Sequence, residues 1–362
     1  MGLDARRGDL LPQLARPEFP AADKIIKATV CKGPRGGTAD TRDLKSRGGR
    51  LPCGFESHRG QSFAISGKPG RDDRQPMRFV KKASLAEGWL FLLVSSLVLG
   101  QAAAMQAENA LDARVQAGSA LLWDESSQRA LFRRQIYAPH PPASTTKLMT
   151  ALLVYEKTGL AGEVVVSRED LSSAGEVQTV RLLPGDRFLV TDLVRALLIS
   201  SSNEAAFALA RHASGSVGAF VAEMNARAKG LGCEKTHFVN PSGETAPGHV
   251  SCASDLLRIF EAVLAVEPLR SICASESYSL RSAEGKPVQY LMNTNRLLGP
   301  YPGMGPAKTG WTREARHTYA ALCRRGERKV ALILFDSPNK WADAVALFDF
   351  AFGEKGSRVD GL

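Results

Sequence analysis

Ser144-Thr145-Thr146-Lys147 places a hydroxyl and an amine three residues apart. On a helix, positions i and i+3 share a face, so the Lys147 amine can reach the Ser144 Oγ. A serine is a weak nucleophile until a base takes its proton. A lysine serves as that base when burial and nearby positive charge lower its pKa. The amino terminus of such a helix adds positive potential and free N–H groups for a developing oxyanion. Further along, Ser201-Ser202-Asn203 falls between two helical stretches, where side chains can project into a cleft. Ser201 could relay a proton between Lys147 and a leaving amine, and Asn203 could bond a substrate amide and Lys147. Lys308-Thr309-Gly310 follows a Gly/Pro-rich stretch and opens an extended run. There a lysine and a threonine hydroxyl can hold a substrate carboxylate, and Gly310 omits a side chain where the ligand must come close.

Each of these motifs is short, and the chain carries two decoys. Ser337-Pro338-Asn339-Lys340 repeats the first spacing, but Ser337 reads as the cap of a closing helix with Pro338 in its first turn. Lys157-Thr158-Gly159 repeats the third motif, but reads as a basic last turn with a glycine terminator. Ser201 and Asn203 have a capping reading of their own. The information lies in the order Ser-x-x-Lys, Ser-x-Asn, Lys-Thr-Gly, with separations of 57 and 107 residues. Such separations require a fold that gathers three distant segments at one cleft.

The surrounding pattern supplies mixed α and β elements. Residues 117–123 and 129–133 read as a strand pair across the turn at 124–127. Pro141-Pro142 stiffens the start of a helix whose apolar positions are Leu148, Ala151, Leu152 and Tyr155, ending at Gly159. Thr191 can cap a second helix bearing Leu193, Ala196 and Leu197. Residues 205–213 and 220–229 continue as helices. Residues 317–324 and 329–335 read as two strands, and 341–352 as the closing helix. Strands at both ends with helices between them predict one domain in which both ends build the same sheet.

The formal charge of +10 suggests an anionic partner. It is unevenly placed: +6 falls in 1–76, +2 in 77–104 and +2 in all that follows. The foldable part is nearly neutral, which removes the case for nucleic-acid binding. Residues 1–76 lack sustained apolar periodicity and read as disordered or spurious. Within them, residues 46–59 resemble a translated transfer-RNA gene, which implies a start at Met77; the alternative is a genuine flexible extension. From there Arg78, Lys81 and Lys82 precede the apolar run Trp89–Leu99 and the small residues Ala102-Ala103-Ala104. That order reads as a secretory signal peptide, with an uncleaved amino-terminal anchor as the alternative. The expected product is an exported protein beginning near Met105, with 105–362 as its domain. Cys233, Cys252, Cys273 and Cys323 remain after the leader, as disulfides or as buried free thiols; their spacing supports no zinc site.

The ordered trio is similar to that of penicillin-binding proteins and class A β-lactamases. The resemblance extends to the stretches 142–150, 197–206, 237–243, 293–298 and 308–312. Together they resemble the D-alanyl-D-alanine carboxypeptidase family of low-molecular-mass penicillin-binding proteins, from about Asn109 to Gly353. The resemblance implies an α+β, β-lactamase/transpeptidase-like fold: a five-stranded antiparallel sheet flanked by helices, with a helical lobe. It implies Ser144 as acylated nucleophile, Lys147 as base and Ser201 and Asn203 as the second element. It further implies that Lys308, Thr309, Gly310, Trp311 and Thr312 line the substrate site, with Lys308 holding the carboxylate, and that the N–H groups of Ser144 and Trp311 form the oxyanion hole. The implied partners are peptidoglycan stem peptides ending in D-Ala-D-Ala and β-lactam antibiotics, with no cofactor.

Two positions depart from the family pattern: Ala307 replaces a larger apolar residue, and Arg316 stands where glycine is frequent. Ten residues follow Phe352, so a carboxy-terminal β domain and membrane anchor are expected to be absent, which leaves membrane contact open. The alternatives are a class A β-lactamase-like hydrolase and a non-catalytic penicillin-sensing module on the same fold. The first needs a Glu-x-x-Leu-Asn stretch, and none lies between Asn203 and Lys308.

Overall fold

The computed structural model describes residues 95–96, 106, 109–175, 179–354, 356–357 and 359. The extension 1–76 and, save Ser95 and Ser96, the segment 77–104 read as a signal peptide lie outside the described residues. Nine strands are named here in chain order: β1 (Ser119–Asp124), β2 (Arg129–Arg134), β3 (Glu163–Val165), β4 (Arg187–Leu189), β5 (Ser277–Arg281), β6 (Pro287–Met292), β7 (Met304–Thr312), β8 (Arg316–Arg325) and β9 (Arg328–Ser337). The helices are α1 (Lys147–Thr158), α2 (Arg168–Ser173), α3 (Val190–Ile199), α4 (Asn203–Ser214), α5 (Val217–Gly230), α6 (Ala253–Ala265), α7 (Glu267–Cys273) and α8 (Lys340–Phe352).

Five strands form one antiparallel sheet in the order β2-β1-β9-β8-β7. The first two strands therefore join the last three, as the predicted pairing of both chain ends requires. In β9 the run Val330–Phe335 is buried throughout, because both faces of the sheet are covered. On one face Ala120, Leu122, Phe132, Tyr319, Leu332 and Leu334 join Ala344, Leu347 and Phe348 of α8 in a single core cluster. On the other side α6 packs against β1, β8 and β9. Period-2 alternation sends neighbouring strand residues to opposite faces, so a strand covered on both sides reads as a continuous apolar run. Ala307 belongs to the α8-side cluster, where its small side chain is fully covered.

The helical lobe was only partly legible. Helices α6 and α7 and the hairpins β3–β4 and β5–β6 were not anticipated. Helix α3 starts at Val190, one residue before Thr191, and Leu189 is its cap without a side-chain bond. Thr191 therefore lies inside the first turn of the helix rather than at its cap, and the Val190 N–H at the helix start is taken by the Gly162 carbonyl. The four cysteines Cys233, Cys252, Cys273 and Cys323 are buried free thiols.

Arg316 has φ +53°, in the left-handed region that glycine tolerates best. Its guanidinium pairs with Asp336 at 3.0 Å. The turn from β7 to β8 thus takes the glycine-like backbone with an arginine in place.

Candidate active site

The segment carrying the candidate nucleophile Ser144 is a 3-10 turn, Ala143–Thr146, that runs directly into α1. In a 3-10 turn residues i and i+3 eclipse, which sets Lys147 over Ser144 more closely than an α-helix would. Lys147 Nζ lies 2.9 Å from Ser144 Oγ. It donates to Asn203 Oδ1 at 2.7 Å and to the Ser242 carbonyl at 2.6 Å. Lys147 is fully buried, at 0% exposure. Burial, and then the positive charge of Lys308, push its pKa well below the ordinary lysine value, while Glu204 and Glu244 oppose the shift.

The second motif divides its tasks among three residues. Ser202 caps α4, accepting from Ala205 N at 3.0 Å, so the capping role belongs to it. Its neighbours are freed for the cleft. Ser201 sits at φ +66°, a costly conformation for a residue with a Cβ. The strain turns its hydroxyl toward Lys308, whose Nζ donates to Ser201 Oγ at 2.9 Å. Asn203 Oδ1 faces Lys147, and its Nδ2 donates to Glu244 Oε1 at 3.1 Å and to the Ala174 carbonyl at 3.3 Å.

The third motif lies on β7, the edge strand of the sheet beside the nucleophile turn. Lys308 is buried at 1% exposure, and burial, with the charge of Lys340 adding to it, lowers its pKa to about 7 against an opposing effect of Cys273. Thr309 Oγ1 donates to Thr294 Oγ1 at 2.7 Å, which ties the 293–298 segment to the same strand. A Cβ on Gly310 would stand 2.8 Å from Ser144 N, so the backbone nitrogen of the nucleophile faces β7 next to Trp311. Trp311 is 61% exposed, projecting outward from the cleft edge. Thr312 shares a 2.7 Å hydroxyl contact with Thr245. All three predicted segments therefore meet at one cleft.

Several contributors had no side-chain signature. The Ser242 carbonyl is a backbone group in the 237–243 segment, whose family resemblance pointed to the stretch but not to that atom. Gly243 has φ +92°, and a Cβ there would overlap the Ala143 carbonyl, so this loop closes directly onto the nucleophile turn. His249 fastens it from the far side: its Nδ1 accepts from Val239 N at 3.1 Å, which leaves Nε2–H to donate to Thr146 Oγ1 at 2.9 Å. Glu204 and Glu244, the acidic neighbours of Lys147, were likewise missed.

The decoys are structural. Lys157 ends α1 beside Gly159 at φ +58° and pairs with Glu223 at 2.6 Å. Ser337 is not the cap of α8, contrary to the sequence reading. Asn339 holds that place, accepting from Ala342 N. Ser337 ends β9 and donates to Asp343 Oδ2 at 2.7 Å, while Lys340 Nζ meets His317 Nδ1 at 3.1 Å. The decoy serine and lysine therefore serve different partners.

Residues 103–339, more than half of the chain, match the family described as D-alanyl-D-alanine carboxypeptidase. The chain is 32% identical over 247 residues to D-alanyl-D-alanine carboxypeptidase DacF of Bacillus subtilis, covering 66% of this chain and 63% of that protein. It is 35% identical over 246 residues to DacB2 of Mycobacterium tuberculosis, covering 65% and 83%. A crystal structure of a D-alanyl-D-alanine carboxypeptidase from Mycobacterium tuberculosis H37Rv superposes with a TM-score of 0.61 at 33% identity, over 67% of this chain and 93% of that one. The Streptomyces K15 DD-transpeptidase superposes with a TM-score of 0.63 at 25% identity, over 66% and 98%. With the ordered motifs, the antiparallel sheet and the converged cleft, these similarities establish that the chain belongs to the D-alanyl-D-alanine carboxypeptidase family of serine-type peptidases.

Proposed function

We propose that this chain removes the terminal D-alanine from peptidoglycan stem peptides through an acyl-enzyme on Ser144, and that penicillin acylates the same oxygen. The observation that carries the assignment of roles is the set of three partners around Lys147 Nζ. A neutral amine has two N–H donors and one lone pair. Asn203 Oδ1 and the Ser242 carbonyl are acceptors and occupy the two donors. The lone pair is left for the Ser144 hydroxyl, 2.9 Å away. The same burial that depresses the Lys147 pKa keeps the amine in the form that can take this proton.

The substrate carboxylate sits against Lys308 and Thr309, with its peptide lying along β7. Ser144 Oγ attacks the penultimate carbonyl, and the oxyanion faces the N–H groups of Ser144 and Trp311. The leaving D-alanine amine takes its proton from Lys147, or from Ser201. The Lys308–Ser201 bond at 2.9 Å favours Ser201, because the ammonium that binds the carboxylate also supports the hydroxyl nearest the departing residue. Water then cleaves the ester, with Lys147 again the base. In this reading residues 77–104 direct export, and the enzyme works on the wall side of the cytoplasmic membrane. Amino-terminal sequencing of the exported product should begin near Met105; residues of 1–76 on that product would overturn this assignment.

Mass spectrometry of the protein after penicillin treatment tests the chemistry. A covalent adduct on Ser144 is expected, with release of free D-alanine from a D-Ala-D-Ala peptide by the untreated enzyme. Ser144→Ala should abolish the adduct. Lys147→Arg should nearly do so, since a guanidinium does not give up its proton. An adduct on another residue, or normal acylation of Lys147→Arg, would refute the assigned roles.

A further inference from the structure

Glu244 is exposed at the mouth of the cleft, in an open hollow that it shares with Thr245, Thr312 and Glu314. Its carboxylate accepts from Asn203 Nδ2 at 3.1 Å. The opposite end of the same amide, Oδ1, accepts from Lys147 Nζ at 2.7 Å. One planar amide therefore lies between a solvent-facing carboxylate and the buried general base. A carboxylate can only accept hydrogen bonds, so, together with the Ala174 carbonyl at 3.3 Å, it selects the Nδ2 end of Asn203 and turns Oδ1 to the lysine. With the amide reversed, Nδ2 would point at Lys147 and compete for the lone pair that Ser144 needs.

We propose that Glu244 is a positioning residue that sets the pH at which the nucleophile becomes active, by fixing the Asn203 amide and carrying negative charge to within reach of Lys147. This rests on the reading of Lys147 as base. Four charged groups bear on or adjoin that amine. Lys308 on β7 opposes its protonation, while Glu204 on α4 and Glu244 on the 237–250 loop favour it. Lys340 stands behind Lys308 and acts on that residue. Of the two carboxylates, Glu204 is buried and held by Ser202 Oγ at 2.6 Å and Thr179 N at 3.2 Å. Glu244 is the one in contact with solvent, and so with whatever charge the bound peptide brings.

The sign follows from the chemistry. Acylation requires the neutral amine, so its rate falls as pH drops through the Lys147 pKa. The Glu244 carboxylate stabilises the ammonium and holds that acid limb at higher pH. Glu244→Gln keeps an oxygen that can accept from Asn203 but removes the charge. The midpoint of the acid limb should then move down by roughly 0.5–1 pH unit, a modest effect because the charge is solvent-screened. The plateau rate should stay within about 3-fold of wild type, since the amide orientation is retained.

The test is the second-order rate of labelling by fluorescent penicillin between pH 4.5 and 9, for the full chain and three variants. Glu244→Gln should show the lowered midpoint, and the gap from wild type should narrow at 1 M salt. Glu244→Ala should show the same shift with a further drop in plateau rate. Glu314→Gln removes a charge from the same hollow without a bond to Asn203 and should leave the midpoint in place. A wild-type midpoint in Glu244→Gln, or an equal shift in Glu314→Gln, overturns the proposal. Failure of the wild type to label at any pH would instead refute the acyl-enzyme reading.

Discussion

A Cβ on Gly310 would stand 2.8 Å from the backbone nitrogen of Ser144, across 166 residues of sequence. The same atom would overlap Thr318 Oγ1, which donates to the Pro142 carbonyl at 3.0 Å. Strand β7 and the nucleophile turn therefore meet backbone to backbone, with Thr318 of β8 tying the turn down. Gly310→Ala should push the two apart just where the oxyanion donors must converge. The expected loss in acylation rate is about 10²–10³-fold, comparable to removal of one oxyanion donor, in a protein that still unfolds cooperatively. Near-normal acylation of Gly310→Ala would mean that the approach of the two backbones is unimportant.

Lys308, as the proposed carboxylate holder, should impose its own pH limit. Lys308 has a pKa lowered to about 7 by burial, and only its ammonium attracts a carboxylate. Peptide KM should therefore rise as pH climbs above 7, while peptides amidated at the carboxy terminus should show no such limb. Lys308→Ala should depress turnover of free-carboxylate peptides far more than of amidated ones. Equal losses on both would remove Lys308 from carboxylate binding.

His249 should make the protein sensitive to acid. Burial lowers its pKa from 6.5 to about 4, and its Nδ1 must stay unprotonated to accept from Val239 N. The unfolded chain protonates near 6.5, so the stabilisation is complete above that pH and is lost as pH falls toward 4. The difference corresponds to roughly 3 kcal/mol. Urea denaturation between pH 7 and 4 should show a steeper decline for wild type than for His249→Gln. Parallel curves would show that another group controls the acid transition.

The start of α8 should depend on two residues for different reasons. Asn339→Ala removes the cap and should cost about 0.5–2 kcal/mol. Ser337→Ala removes a buried donor to Asp343, whose Oδ1 still accepts from Gln116 N at 2.7 Å, and should cost about 1–3 kcal/mol. Both variants, once folded, should be labelled by penicillin at wild-type rates. Loss of labelling in folded Ser337→Ala would challenge Ser144 as the nucleophile.

Much of this site was written into the chain as residue types in order. Ser144 and Lys147 are local, three residues apart, and helical geometry alone joins them. The sheet was legible for a similar reason: β8 and β9 are adjacent apolar runs across a short turn, and the terminal strands were the remaining partners. The capping assignments failed where the helix began at a different residue from the hydroxyl in view. Helix α3 starts one residue before Thr191, where the Gly162 carbonyl takes the Val190 N–H, and Asn339 holds the cap of α8 in place of Ser337. Local sequence names the groups that can cap, but tertiary approach chooses among them.

The types and order of residues pointed to the chemistry proposed for this site: a serine, a lysine as its base, an amide and a lysine to bind a carboxylate, on a fold able to collect them. Tertiary structure decided how those groups divide the work. Ser201 turned out to bond Lys308, while Asn203 took Lys147 and Ser202 took the helix cap. The Ser242 carbonyl joined the base's partners although nothing in a side chain announces it, and Glu244 came within reach of Asn203 from 41 positions away. The reason is physical. A side chain's functional groups are carried by its residue type, whereas hydrogen-bond direction, burial and the pKa shifts they cause depend on distances between segments that only the folded chain brings together.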